Sequence, residues 1–328
     1  MDSISVTQKY PCVIPTVIQD YERTKDYFKT FFDMLPICEI ILIGPDDVQT
    51  QVDKDINSGF FEDYNVSFIR EDSLVPLSSI KPIFNAQLKD TTQPNPSSIN
   101  WYYQQFLKMA YAQICDSDYY LCWDSDTIPL RKIKMFNDDG KPYLDTKSEC
   151  NQSYFATIER ILGFNKIIEK SFISEHMLFS KNFMLELIDD ILKANYPGDT
   201  FPEKIIYSLG NDNLVRGFSE FETYGTFIGM KHPSAYKLRA WKSFRNLGFF
   251  VSISNFSKAD KEWLSKDYDA VTFEKYQETE PLLNELFLNP RYREKLTSEQ
   301  FFLSVLESGA LGEYSNGTIK QDDLIAPV

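Results

Sequence analysis

The chain has 328 residues, 43% of them apolar and 15% aromatic, which supports a sizeable buried core and excludes wholesale disorder. A net charge of −14 argues against a nucleic-acid partner and against attraction of the whole chain to anionic lipid. Five widely spaced cysteines without a Cys-x-x-Cys read as reduced thiols of a cytosolic protein, and two histidines leave little material for a zinc site.

The N-terminal stretch has no basic segment followed by an apolar one, and no window approaches 18 apolar residues, so neither a secretory leader nor a membrane span is expected. Residues 12–18 form a β-branched run broken by Pro15. Tyr27, Phe28, Phe31, Phe32 and Leu35 then recur at helical spacing. Residues 39–43 (EIILI) and 65–70 (NVSFIR) read as further strands, which begins a parallel sheet with crossovers. Residues 76–100, rich in Pro, Ser, Asn and Thr, read as a loop.

Tyr103, Phe106, Leu107, Ala110, Tyr111 and Ile114 make an apolar helical stripe, with Ser98 or Asn100 as its cap. Residues 119–123 (YYLCW) are a buried strand running into Asp124-Ser125-Asp126-Thr127. A strand is expected over 172–179 and a helix over 181–194. The pattern beyond 255 is helical and acidic, and the last dozen residues look loose. The expected division is 1–254 as one α/β domain, with a nucleotide-binding half to about 135 and an acceptor half over 136–254, followed by a helical extension over 255–328.

In open α/β sheets ligands bind beyond the carboxyl ends of the strands, where Asp124 and Asp126 fall. A one-residue gap in extended backbone sends both carboxylates to one side, and such hard oxygens suit Mg²⁺ or Mn²⁺ with positions left for diphosphate oxygens. The competing reading of this pair is a structural cap or turn. Asp116 and Asp118, with the same spacing just upstream, read as a polar turn between helix and strand.

Residues 100–133 (NWYYQQFLKMAYAQICDSDYYLCWDSDTIPLRKI) resemble the core of bacterial GT-A glycosyltransferases that build capsular and surface polysaccharides. SFISEHMLFS (171–180) and FSEFETYGTF (218–227) resemble two further motifs of that group at compatible spacing. The resemblance implies a GT-A, Rossmann-like α/β fold with a mixed, mostly parallel sheet flanked by helices. It implies a metal-dependent hexosyltransferase using a UDP-sugar and Mn²⁺ or Mg²⁺, with Asp124 and Asp126 as the donor-metal motif. Trp123, Ser125, Gln105 and Lys108 would flank the donor, and Glu175, His176 and Tyr224 would face the acceptor or donor sugar. An inverting enzyme would take its base from Glu220 or Glu222, of which Glu220 is favoured.

His232 reads either as a third metal ligand or as an ordinary strand-end histidine, and His176 either as a sugar contact or as a satisfied core residue. Residues 231–245 hold Lys231, Lys237, Arg239, Lys242 and Arg245 without an acid. They suit a diphosphate, or an undecaprenyl-diphosphate-linked glycan acceptor met peripherally at the inner face of the cell membrane; a solvated amphipathic face is the alternative. The competing function classes are a sugar-nucleotide pyrophosphorylase, disfavoured by a first strand without glycine, and a non-catalytic sugar-binding module.

Overall fold

The computed structural model describes residues 9–309 apart from 93, 95, 149, 150 and 212, so Cys150 and the last dozen residues lie outside the described residues. The strands are β1 (Tyr10–Pro15), β2 (Ile37–Gly44), β3 (Val66–Arg70), β4 (Tyr119–Trp123), β5 (Thr127–Pro129), β6 (Tyr143–Thr146), β7 (His176–Ser180), β8 (Lys237–Ala240), β9 (Ser243–Phe244) and β10 (Ala270–Thr272). The main sheet has the order β3-β2-β1-β4-β7. Its first three pairings are parallel and β4 meets β7 antiparallel.

The central strands carry apolar residues at successive positions because helices cover both faces. Val13, Ile41, Ile43, Tyr120 and Cys122 enter one core with Phe106 of the helix Ile99–Ala110. Cys12, Ile14, Ile40, Leu42, Leu121 and Trp123 enter the opposite core with Tyr21, Phe28 and Phe31. This alternation is the period-2 geometry of extended backbone.

Chain order runs outward from β1 to β3, then returns so that β4 pairs with the other side of β1. A switch point therefore lies between β1 and β4, and the crevice beyond their carboxyl ends is where such sheets bind ligands. Asp124 begins the loop that leaves β4 at that point.

Three local expectations are corrected. Residues 76–100 are not all loop, because Leu77–Asp90 is a helix that contains Pro82 in its interior. Burial of Ile80 and Phe84, and a bond from Gln87 Nε2 to the Ile206 carbonyl (2.8 Å), outweigh its weak propensity. The first strand ends at Pro15, and the following helix already includes Ile18.

The helical reading beyond 255 missed β10, which pairs antiparallel with β5 and parallel with β9. Around that small sheet Ile128, Phe244 and Phe250 pack with Trp263, Val271, Phe287, Phe301 and Phe302. A boundary at residue 254 would cut through this core.

Candidate functional site

The loop leaving β4 is fixed by backbone bonds on both sides. Asp124 N donates to the Glu175 carbonyl (2.9 Å), Thr127 N to the Asp124 carbonyl (3.1 Å), and Phe273 N to the Asp126 carbonyl (2.9 Å). The Asp124, Ser125 and Asp126 side chains stay half-buried, while Trp123 and Thr127 on either side are buried. The loop thus offers carboxylates to the crevice on a rigid base.

Asp124 Oδ1 accepts from the Lys108 ammonium at 2.7 Å. The same nitrogen donates to Glu220 Oε1 at 2.7 Å and lies 4.3 Å from the centre of the Phe221 ring. Burial lowers the Lys108 pKa, but Asp124 and Glu220 more than reverse that and hold it charged. Burial raises the Glu220 carboxyl, Lys108 pulls it back, and Asp124 pushes it up, for a net rise. Gln105 supports this cluster by accepting from Glu220 N through Oε1 (3.2 Å), while its Nε2 donates to the Trp101 carbonyl (3.0 Å).

Asp126 faces a different set. Its carboxyl is pushed well above the usual carboxylate range, first by withdrawal from water, then by Glu274 and Asp124, with Asp20 adding to them and Arg245 opposing. Arg245 is itself divided, with Nη2 2.9 Å from Glu274 Oε1 and Nε 3.3 Å from Glu175 Oε1. Arg23 ties the far wall down by donating to the Phe273 carbonyl (2.8 Å).

Hard carboxylate oxygens beside an excess of negative charge are the donor chemistry that Mg²⁺ or Mn²⁺ requires. Among the described residues no three His, Cys, Asp or Glu form a metal-holding group. The protein's contribution fits a two-carboxylate site, with remaining positions left to substrate oxygens or water.

Several expected site residues lie elsewhere. Glu220 opens the helix Glu220–Lys231, so Glu222 points a different way. Glu222 is buried against Lys166 and accepts from Ser171 Oγ (2.9 Å) and Phe172 N (3.1 Å). His232 follows the other end of this 12-residue helix, about 18 Å from Glu220 along the axis. It bonds Glu186 through Nε2 (2.8 Å) and stacks on Phe183, so it is no third ligand.

His176 is a satisfied core residue. Its Nε2 meets Asp145 Oδ2 (2.9 Å), its Nδ1 meets the Ser174 carbonyl (2.9 Å), and its ring stacks on Trp123. Tyr224 is fully buried, and its hydroxyl bonds Tyr236 Oη (2.7 Å) and Ser180 N (3.0 Å). Trp123 is fully buried and spends its Nε1–H on the Thr127 carbonyl (2.8 Å). All three side chains are engaged within the fold.

Glu175 is 1% exposed, and its carboxylate is engaged within the fold. It accepts from Lys147 Nζ (3.0 Å), Trp241 Nε1 (2.9 Å) and Ser243 Oγ (2.8 Å). Burial alone would raise its carboxyl, but Lys147 and Arg245 hold it down at about 2.

The basic segment does not form one face. Lys231 pairs with Asp190, Arg239 with Asp145 (2.6 Å), Lys242 with Glu299 (3.7 Å), and only Arg245 joins the site. Asp20, Arg23, Lys147 and Glu274 were not singled out from sequence. They come from distant elements, and no local spacing marks them.

Fold and site together define an α/β protein with a cluster of carboxylates, Lys108 and Arg245 at the carboxyl end of β4, by the sheet's switch point. The chain belongs to DUF6492, a family of unknown function, which it matches over residues 8–244. It is similar to the solved structure of mouse xyloside xylosyltransferase 1 in its apo form, at 13% identity and TM-score 0.43, covering 83% of this chain and 99% of that one. It is also similar to the apo WbbM bifunctional glycosyltransferase at 12% identity and TM-score 0.42, covering 85% of this chain and 48% of that one. A third similarity is to the galactosyltransferase LgtC with donor and acceptor sugar analogues, at 13% identity and TM-score 0.40, covering 87% and 100%. No curated protein matches the chain. Likeness this distant says nothing about chemistry, which rests on the residues of this chain.

Proposed function

We propose that this protein is a metal-dependent glycosyltransferase with a GT-A fold, moving a hexose from a UDP-sugar to a glycan or lipid-diphosphate-linked acceptor in surface polysaccharide synthesis. The observation that carries the reading is the half-buried pair Asp124 and Asp126 at the carboxyl end of β4, with Glu274, Asp20 and Arg245 acting on Asp126.

Asp124 and Asp126 would hold Mn²⁺ or Mg²⁺. When bound, the ion neutralises the departing nucleoside diphosphate. Arg245 is the cation that offsets the rise in the Asp126 carboxyl and suits a further diphosphate oxygen. Lys108 keeps Asp124 oriented and compensates Glu220.

Glu220 is the favoured base, because its upward-shifted carboxyl is tied to Asp124 through Lys108 and suits proton acceptance from an acceptor hydroxyl. That role implies inversion at the anomeric centre. Among the described residues no helix is long and apolar enough to cross a membrane. Any contact at the inner membrane face would therefore be made by the surface of the described fold or by residues outside it.

The test is release of UDP from a panel of UDP-sugars with Mn²⁺. Wild type should turn over at least one donor and Asp126→Ala should not. A panel without turnover, or an Asp126→Ala variant as active as wild type, refutes the reading.

A further inference from the structure

Glu175 is one of two non-glycine described residues with positive φ, at 61°. A left-handed backbone is unfavourable for a side chain with a Cβ and persists only where surrounding contacts enforce it. Here both ends of the residue are engaged. Its carbonyl accepts the Asp124 amide at 2.9 Å, and its buried carboxylate accepts from Lys147, Trp241 and Ser243. The Arg245 Nε lies 3.3 Å from Oε1.

An extended residue at this place would send carbonyl and side chain in other directions. The left-handed turn lets the carbonyl meet the loop after β4 while the carboxylate points into the core that holds β9. The residue bridges two parts of the site that share no strand: the Asp124 loop and the Arg245 guanidinium.

We infer that Glu175 is the positioning residue of this site, one side chain and one carbonyl setting the Asp124 loop and the Arg245 guanidinium in register. This rests on the proposed transferase reading for its catalytic consequence, but not for its structural one. Groups that orient ligands in this way commonly change activity by roughly ten- to a hundredfold when removed.

The experiment combines two arms. In the first, UDP release is measured for Glu175→Gln, Arg245→Ala and the double variant. Glu175→Gln should lower kcat roughly ten- to a hundredfold. Adding it to Arg245→Ala should change kcat by less than about threefold, because one acts through the other. Full additivity, or an unaffected kcat in Glu175→Gln, overturns the proposal.

In the second arm, hydrogen exchange at the Asp124 amide is compared in wild type, Glu175→Ala and Glu175→Gly. Protection should fall most in Glu175→Ala, which loses the anchoring carboxylate and strains the left-handed backbone, and less in Glu175→Gly, which loses the carboxylate alone. Equal protection in Glu175→Ala and wild type overturns the proposal. If wild type releases no UDP, the transferase reading fails while the exchange arm still decides the role of Glu175. If Glu175→Gln does not fold, Ser243→Ala, which removes one bond to the carboxylate, takes its place in both arms with the same outcomes.

Discussion

Lys108 Nζ and Glu220 Oε1 lie 2.7 Å apart, with both side chains only 4% exposed. A buried charge keeps its ionised form only while its partner is present, so removing one partner strands the other. Lys108→Met should cost about 3–5 kcal/mol, the scale for breaking a buried pair. Urea denaturation measures this directly. Lys108→Met/Glu220→Gln, which removes both charges, should be more stable than Lys108→Met alone. A Lys108→Met variant with wild-type stability would show that the pair does not hold the site together.

The two glutamates of the segment SEFE should separate in their effects. Glu222→Gln removes one buried carboxylate that the Lys166 ammonium meets and weakens the bonds to Ser171 and Phe172. It should lower stability by about 3 kcal/mol while the folded fraction keeps a kcat near wild type. Glu220→Gln should lower kcat at least a hundredfold, within the range for a general base. Chemical denaturation and UDP release on the same preparations distinguish the two, and reversed effects would move the base to Glu222.

Acid stability should report on Asp145. Burial alone would raise its carboxyl, but bonds from Arg239 and His176 bring it below the ordinary value of 3.8. An acid with a depressed folded-state pKa contributes stability that is fully present above its unfolded value and is lost as pH falls through the folded one. The unfolding free energy should therefore decline below about pH 4, and Asp145→Asn should flatten that decline. Denaturation midpoints between pH 5 and pH 2.5 test it; an equally steep decline in the variant removes Asp145 as a cause.

The sequence showed the sheet and the carboxylate pair because both are local patterns. A five-residue strand, YYLCW, runs straight into Asp124, and Asp126 follows two residues on, in a turn rather than in the extended backbone that the spacing expectation assumed. Lys108 was suggested by motif resemblance, but its bond to Asp124 joins residues 16 apart on different elements. The helix Leu77–Asp90 was hidden by Pro82 and neighbouring serines, whose unfavourable propensities are offset by core contacts that no local pattern carries. Helix periodicity alone could have excluded His232 once Glu220 was read as the first helical residue. Arg245 and Glu274 meet across 29 residues because β10 folds back onto β9, a pairing that an acidic, helix-rich stretch does not announce.

Asp126 allows a test between its two readings, metal ligand and structural turn. Its ionised form is opposed by withdrawal from water and by Glu274 and Asp124, with Arg245 as the counterweight. Among the described residues, the side-chain bond that helps it hold the turn is a long one from Thr127 Oγ1, at 3.4 Å. Asp126→Asn keeps the shape and removes the charge, so it relieves repulsion and sacrifices little bonding. The variant should melt at or above the wild-type temperature, yet lose UDP release by more than about a hundredfold and lose Mn²⁺-dependent UDP binding. A turn-capping carboxylate behaves in the opposite way: its loss lowers the melting temperature by the few degrees that ~1 kcal/mol represents, and leaves metal-dependent binding intact. Thermal melts and calorimetric titration of UDP with and without Mn²⁺ therefore give opposite signs for the two roles.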